Sequence, residues 1–197
     1  MKKVYIGTSR QVGKDCIDWA KNNIPNGYEI TDNIENSQII ISVLYDKLLT
    51  SEQLQGRECF NFHPGTLPQY RGAGCCSWAI INEEKFFGVT LHLIDKGIDT
   101  GNIIDHCDFP ITIEDTAHSL FQKTEQVIYS MFKKWFEKLL NGDYESTKQD
   151  KSKSSLYLRK DLEKAKDLTR FIKAFYFPNK EAAYYYNKQG KKIYINF

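Results

Sequence analysis

Ser37-Gln38-Ile39-Ile40-Ile41-Ser42-Val43-Leu44 is the run on which the fold turns. Its apolar, β-branched residues are consecutive, not alternate. A strand here is buried on both faces, as in a parallel sheet covered by helices. The flanking segments follow the same plan. Val4-Tyr5-Ile6 is a short apolar run ending at Gly7, and residues 13–22 carry Cys16, Ile17, Trp19 and Ala20 at helical spacing. Cys59 to Phe62 predicts another strand, halted at Pro64, and residues 72–82 a helix with Trp78, Ile80 and Ile81 as its apolar stripe. Residues 88–94 alternate as a strand, with residues 101–106 as its neighbour. Residues 116–141 give the clearest helix. Asp115 or Thr116 is placed to cap it, apolar residues recur from Leu120 to Leu140, and Gly142 follows its end.

This alternation predicts an α/β sandwich with a mainly parallel sheet. Residues 143–166 are polar and lysine-rich, a surface excursion. After them, residues 168–176 predict a short helix stopped by Pro178, and residues 182–186 and 192–196 a terminal hairpin turning at Gln189-Gly190. The expected organisation is a main body over residues 1–142 and a C-terminal extension over 143–197 that is not an independent domain.

The 27 Lys and Arg nearly cancel the 25 Asp and Glu among 197 residues, leaving +2. That balance gives no electrostatic case for nucleic acid or an anionic membrane as partner. No run approaches the ~20 apolar residues of a membrane span, and Met1-Lys2-Lys3 followed only by Val4 to Gly7 does not read as a signal peptide. The five cysteines are odd in number and scattered, which fits a reducing, cytoplasmic setting. Cys75 and Cys76 are adjacent and lack zinc-ligand spacing, so no metal is expected. The turn from Gly7 to Gly13, between strand and helix, suits either an anion or a plain connection.

Chemistry concentrates in Asn61-Phe62-His63-Pro64-Gly65-Thr66-Leu67-Pro68-Gln69-Tyr70-Arg71-Gly72 and Asp95-Lys96-Gly97-Ile98-Asp99-Thr100-Gly101. In an extended segment Asn61 and His63 point to the same side. An amide is a neutral donor for an oxygen gaining negative charge, an imidazole exchanges protons near neutral pH, and a carboxylate beside it favours the imidazolium. Together they suit acyl transfer without a covalent enzyme intermediate.

These two segments, with Gly88-Val89-Thr90-Leu91-His92 between them, resemble the superfamily of 10-formyltetrahydrofolate-dependent formyltransferases from about Ser42 to Pro110. The resemblance implies a Rossmann-like body, a folate co-substrate and no metal. It implies that Asn61 holds the formyl oxygen, His63 is the acid/base, and Asp99 raises the histidine's pKa. Folate positions correspond to Lys47, Leu48 and Leu49 and to Asp95, Lys96, Gly97 and Ile98, with Leu48 and Leu67 as apolar walls. Arg10, Tyr70, Arg71, Trp78 and Tyr176 are the candidate acceptor contacts, the aromatics among them serving equally as core or interface residues.

The Trp78 region, residues 88–92 and the tail from Arg170 to Pro178 look most like the amino-sugar N-formyltransferases. These act on dTDP- or UDP-linked amino sugars for surface glycans such as lipopolysaccharide. The glycinamide-ribonucleotide enzyme is the alternative; a non-catalytic binding module on the same fold is another. Methionyl-tRNA is not expected, because the tRNA enzymes carry a further C-terminal domain. Asn61 comes earlier than is usual in the superfamily, implying a shortened N-terminal half and a possible homodimer through the hairpin.

Overall fold

The structure, a computed structural model, describes residues 1–158, 161, 168–178, 180–186 and 189–195. Its centre is a six-stranded sheet in the order β2-β1-β3-β4-β6-β7. The strands are β1 (Lys2–Gly7), β2 (Tyr28–Thr31), β3 (Ile39–Val43), β4 (Glu58–His63), β6 (Phe86–Leu93) and β7 (Ile103–Pro110). The first four run parallel, while β6 lies antiparallel to β4 and β7 antiparallel to β6. Every residue of β3 is buried, Ser42 included, as its three consecutive isoleucines and Val43 require. Burying each of its isoleucines stabilises the sheet by about 1.5–3 kcal/mol.

Helix α1 (Gln11–Asn23) returns the chain from β1 to β2. It packs Val12, Cys16 and Ala20 into the main core with the buried face of α4 (Ala117–Asn141). Helix α4 buries Leu120, Thr124, Ile128, Met131, Phe132, Phe136, Leu139 and Leu140, the three-and-four spacing of one helical face. Thr116 is its cap, in a reciprocal pairing with Ser119, and Gly142 ends it at φ 72°. Asp115 supports the start instead, accepting from the Thr112 amide and from Lys123.

Sequence and structure part in four places. The four-residue strand β2 and the one-turn helix α2 (Ser51–Leu54) are additional to the expected elements; both are too short to show a period. Helix α3 spans Cys75–Ile81, not 72–82, because Arg71–Gly72 forms a two-residue strand, β5, paired with β8 (Leu156–Tyr157). Strand β7 begins at Ile103 and runs on to Pro110. The polar stretch after α4 is not merely an excursion: Thr147 bridges Ile103, and Ser155 accepts from the Arg71 amide. Its residues 159, 160 and 162–166 lie outside the described residues.

Helix α5 (Leu168–Phe175) packs on α3, where Ser77 donates to the Ala174 carbonyl at 2.6 Å. Strands β9 (Tyr184–Tyr186) and β10 (Lys192–Tyr194) form the expected antiparallel hairpin, with Gly190 at φ 74°; Asn196 is outside the described residues.

Candidate active site

Strand β4 ends at His63, and the next turn is drawn back over it. Thr90 of β6, opposite His63 in the ladder, donates to the Gly65 carbonyl at 2.7 Å and accepts from the Leu67 amide at 3.1 Å. The close fit explains Gly65: a Cβ there would lie 2.7 Å from His63 Nε2 and 2.6 Å from the Tyr70 carbonyl oxygen. Asp99 arrives from the loop between β6 and β7 in a left-handed conformation, φ 51°. Gln149 donates to the carbonyls of Asp99 (2.9 Å) and Gly101 (2.7 Å), holding the loop from both sides.

Asn61, His63, His92 and Asp99 all line one cavity of about 600 Å³. His63 Nδ1 lies 3.5 Å from Asp99 Oδ2, which also accepts from the Gly72 amide at 2.9 Å. Asn61 Nδ2 lies 3.4 Å from Asp99 Oδ1 and 3.2 Å from His92 Nε2. The other nitrogen of His63 is 2.6 Å from the Tyr70 carbonyl oxygen. A carbonyl can only accept, so Nε2 carries a hydrogen, and proton uptake or release by this ring occurs at Nδ1, facing Asp99.

Burial opposes ionisation of Asp99. The neighbouring His63 and His92 rings and the Gly72 amide outweigh it, holding the carboxyl below the usual carboxylate range. For His63 the balance falls the other way. Burial lowers its pKa below the ordinary histidine value, and Asp99, although it acts upward, does not cancel that effect. Asp99 acts upward, the direction expected of it from the sequence, but burial sets the net direction. The ring is neutral at rest, and Asp99 stabilises the charge that appears when Nδ1 takes a proton. Cys75 is beside the pair, 3.9 Å from His63 Nε2, but burial pushes its thiol well above its ordinary range and leaves it unreactive.

The cavity also receives Lys47, Leu48, Leu49, Gly97, Ile98 and Arg10 of the sequence candidates. Leu48 and Ile98 line it as exposed apolar side chains, 80% and 40% accessible. Leu44, also lining it, is held at φ 53°, so two of the three non-glycine residues with positive φ among the described residues border this space. Arg10 lies 5.9 Å over the ring of Phe121.

Seven candidates do not line the cavity. Asp95 shapes the loop from beneath, accepting from the Gly97 amide and the Thr100 hydroxyl. Lys96 is exposed, and Leu67 is buried in the turn above β4. Tyr70 is a core residue: its hydroxyl donates to Glu84, its ring stacks on Tyr157 at 5.0 Å, and its carbonyl alone reaches the site. The Arg71 backbone pairs with β8, Trp78 donates to the Leu158 carbonyl, and Tyr176 is exposed elsewhere. Among the cavity residues not singled out from the sequence are His92, Phe121, Phe177 and Lys180. His92 had a readable signal, since it stands opposite Asn61 once β6 is laid antiparallel on β4. The other three come from distant segments and had none.

The formyl transferase family model matches residues 19–134. The methionyl-tRNA formyltransferase of Thermodesulfovibrio yellowstonii is 38% identical over 109 residues, which are 54% of this chain and 35% of that protein. The match thus spans about a third of the length of the curated relatives it resembles. A sugar N-formyltransferase from a Shewanella species has the same fold, with a TM-score of 0.87 at 20% identity, covering 100% of this chain and 97% of that one. The N-formyltransferase of Helicobacter canadensis, solved with folinic acid and dTDP-3-aminofucose, is 27% identical with a TM-score of 0.78, covering 90% of this chain and 81% of its own.

Proposed function

The chain belongs to the formyl transferase family, and on that premise we propose that it moves a formyl group from 10-formyltetrahydrofolate to the primary amine of a nucleotide-linked amino sugar. The observation that carries the reading is the convergence of Asn61, His63 and Asp99 at one cavity wall. Tyr45, Leu48, Leu49, Ile94 and Ile98 offer the folate an apolar surface beside backbone groups. Arg10 and Lys180 bring positive charge to the same cavity, and Phe121 and Phe177 bring aromatic faces. That combination suits the diphosphate and base of a nucleotide sugar.

In this reading the amine nitrogen bonds to the formyl carbon while the carbonyl oxygen gains negative charge. Asn61 Nδ2 donates to that oxygen. His63 Nδ1 takes the proton the amine nitrogen loses, with Asp99 stabilising the imidazolium. His63 then returns the proton to the folate nitrogen as its bond to the formyl carbon breaks. No group stays covalently attached to the protein, and the neutral resting imidazole is in the state needed to receive the first proton.

A second acceptor, the amine of methionyl-tRNA, is favoured by the names of the curated sequence relatives. Incubation with 10-formyltetrahydrofolate and a panel of dTDP- and UDP-amino sugars, methionyl-tRNA and glycinamide ribonucleotide separates the readings. Tetrahydrofolate release with an amino sugar alone supports the first. Release with methionyl-tRNA alone replaces it. A cytoplasmic enzyme is in keeping with five free cysteines.

A further inference from the structure

His92 stands across the ladder from Asn61, buried at 2% exposure, and its ring is held at both nitrogens. Nδ1 lies 2.7 Å from the Leu93 carbonyl oxygen, an atom that only accepts. The neutral ring therefore carries its hydrogen on Nδ1 and presents a lone pair at Nε2. The atom of Asn61 facing that lone pair at 3.2 Å must be a donor, and Asp99 Oδ1, 3.4 Å from the same atom, makes the same demand. His92 Nε2 and Asp99 Oδ1 are themselves 3.6 Å apart. The three atoms make a nearly equilateral triangle, so one N–H of Asn61 aimed between the two acceptors serves both. The second N–H of the amide is left uncommitted.

We propose that His92 is a positioning residue that sets the orientation of the Asn61 amide, so that one N–H is anchored and the other is presented to the formyl oxygen. The inference rests on the functional reading above for the last clause only. The anchoring itself is a property of the folded chain. Without a second acceptor beside it, the Asn61 amide keeps only its long contact to Asp99 and turns about its terminal torsion, a broad, roughly two-fold one. The donor at the reacting oxygen is then misplaced, an error that costs up to ~10²-fold in rate when the geometry slips by about 1 Å. Folate binding, which draws on the apolar wall, is left unchanged.

The test combines side-chain NMR with a double-mutant cycle. Nitrogen-detected spectra of the wild-type protein should show the Nδ1–H tautomer at His92. The Asn61 side-chain amide signals, assigned by their loss in N61A, should be protected from solvent exchange, and H92L should remove that protection. In turnover, H92L should lower kcat roughly 10–100-fold with KM for 10-formyltetrahydrofolate unchanged. H92Q, whose carbonyl accepts, should recover activity that H92L loses, and H92L in an N61A background should cost nothing more. An Nε2–H tautomer, unaffected amide signals, or additive losses in the double variant overturns the proposal. If H92L does not fold, the tautomer and H92Q decide. If no amine is turned over, the functional reading fails while the NMR signals still decide this one.

Discussion

At Asn61 the quantity that matters is how many amide hydrogens remain after the protein has used its own. The structure commits one toward Asp99 Oδ1 and His92 Nε2 and leaves one. If that hydrogen meets the charge of the transition state, N61A lowers kcat by about 10²–10³-fold with little change in KM, measured by steady-state kinetics. His63 is tuned by two opposed effects, burial lowering its pKa and Asp99 raising it. D99N removes only the upward effect. The acidic limb of kcat/KM, where His63 becomes protonated in the free enzyme, should shift to lower pH, and the plateau should fall roughly 10²-fold. A limb moving to higher pH would contradict this assignment of Asp99.

Among the elements, β6 does more for the site than its sequence suggests. Its antiparallel register on β4 sets Thr90 against His63 and His92 against Asn61. One strand thus ties down the turn after β4 and anchors the amide. The parallel core was legible because β3 is apolar at every position but Ser42, and Asn61, His63 and Asp99 were legible because glycine and proline bracket them. The acceptor contacts were not. Tyr70, Arg71 and Trp78 sit near the motif in sequence, but pairing with β8 and packing on Tyr157 hold them outside the cavity lining. Lys180, Phe177 and Phe121 reach the cavity from far along the chain, which no local pattern records.

The segment after α4 holds the Asp99 loop through Gln149, whose amide makes two hydrogen bonds to carbonyls. Q149L removes both and should lower stability by about 2 kcal/mol, read from urea unfolding. A Cβ on Gly72, already at φ 93°, would lie 2.3 Å from the Tyr157 carbonyl oxygen. G72A should therefore displace β5 from β8 and, with it, the amide that binds Asp99, and its activity should fall further than its stability does.

The site holds two groups whose folded pKa values are depressed, His63 and Asp99. Their contributions have the same sign. Above about pH 6.5, the unperturbed histidine value, His63 is neutral in both states and its stabilising contribution is fully present. As pH falls through the lowered folded value, the unfolded chain has taken up a proton that the folded one resists, and stability is lost. Asp99 adds a similar loss below about pH 3.9. Urea melts at pH 7.5 and 5.5 should show the protein weaker in acid, and H63Q should flatten that slope; an unchanged slope would remove His63 as its source. The central claim is the chemistry at the cavity wall. Its most direct test is tetrahydrofolate release from 10-formyltetrahydrofolate over the amine panel, with wild-type and N61A protein side by side. The account predicts amine-dependent release by the wild type, cut at least about 10²-fold in N61A. Equal release by the two proteins, or none by the wild type with any amine, would contradict it.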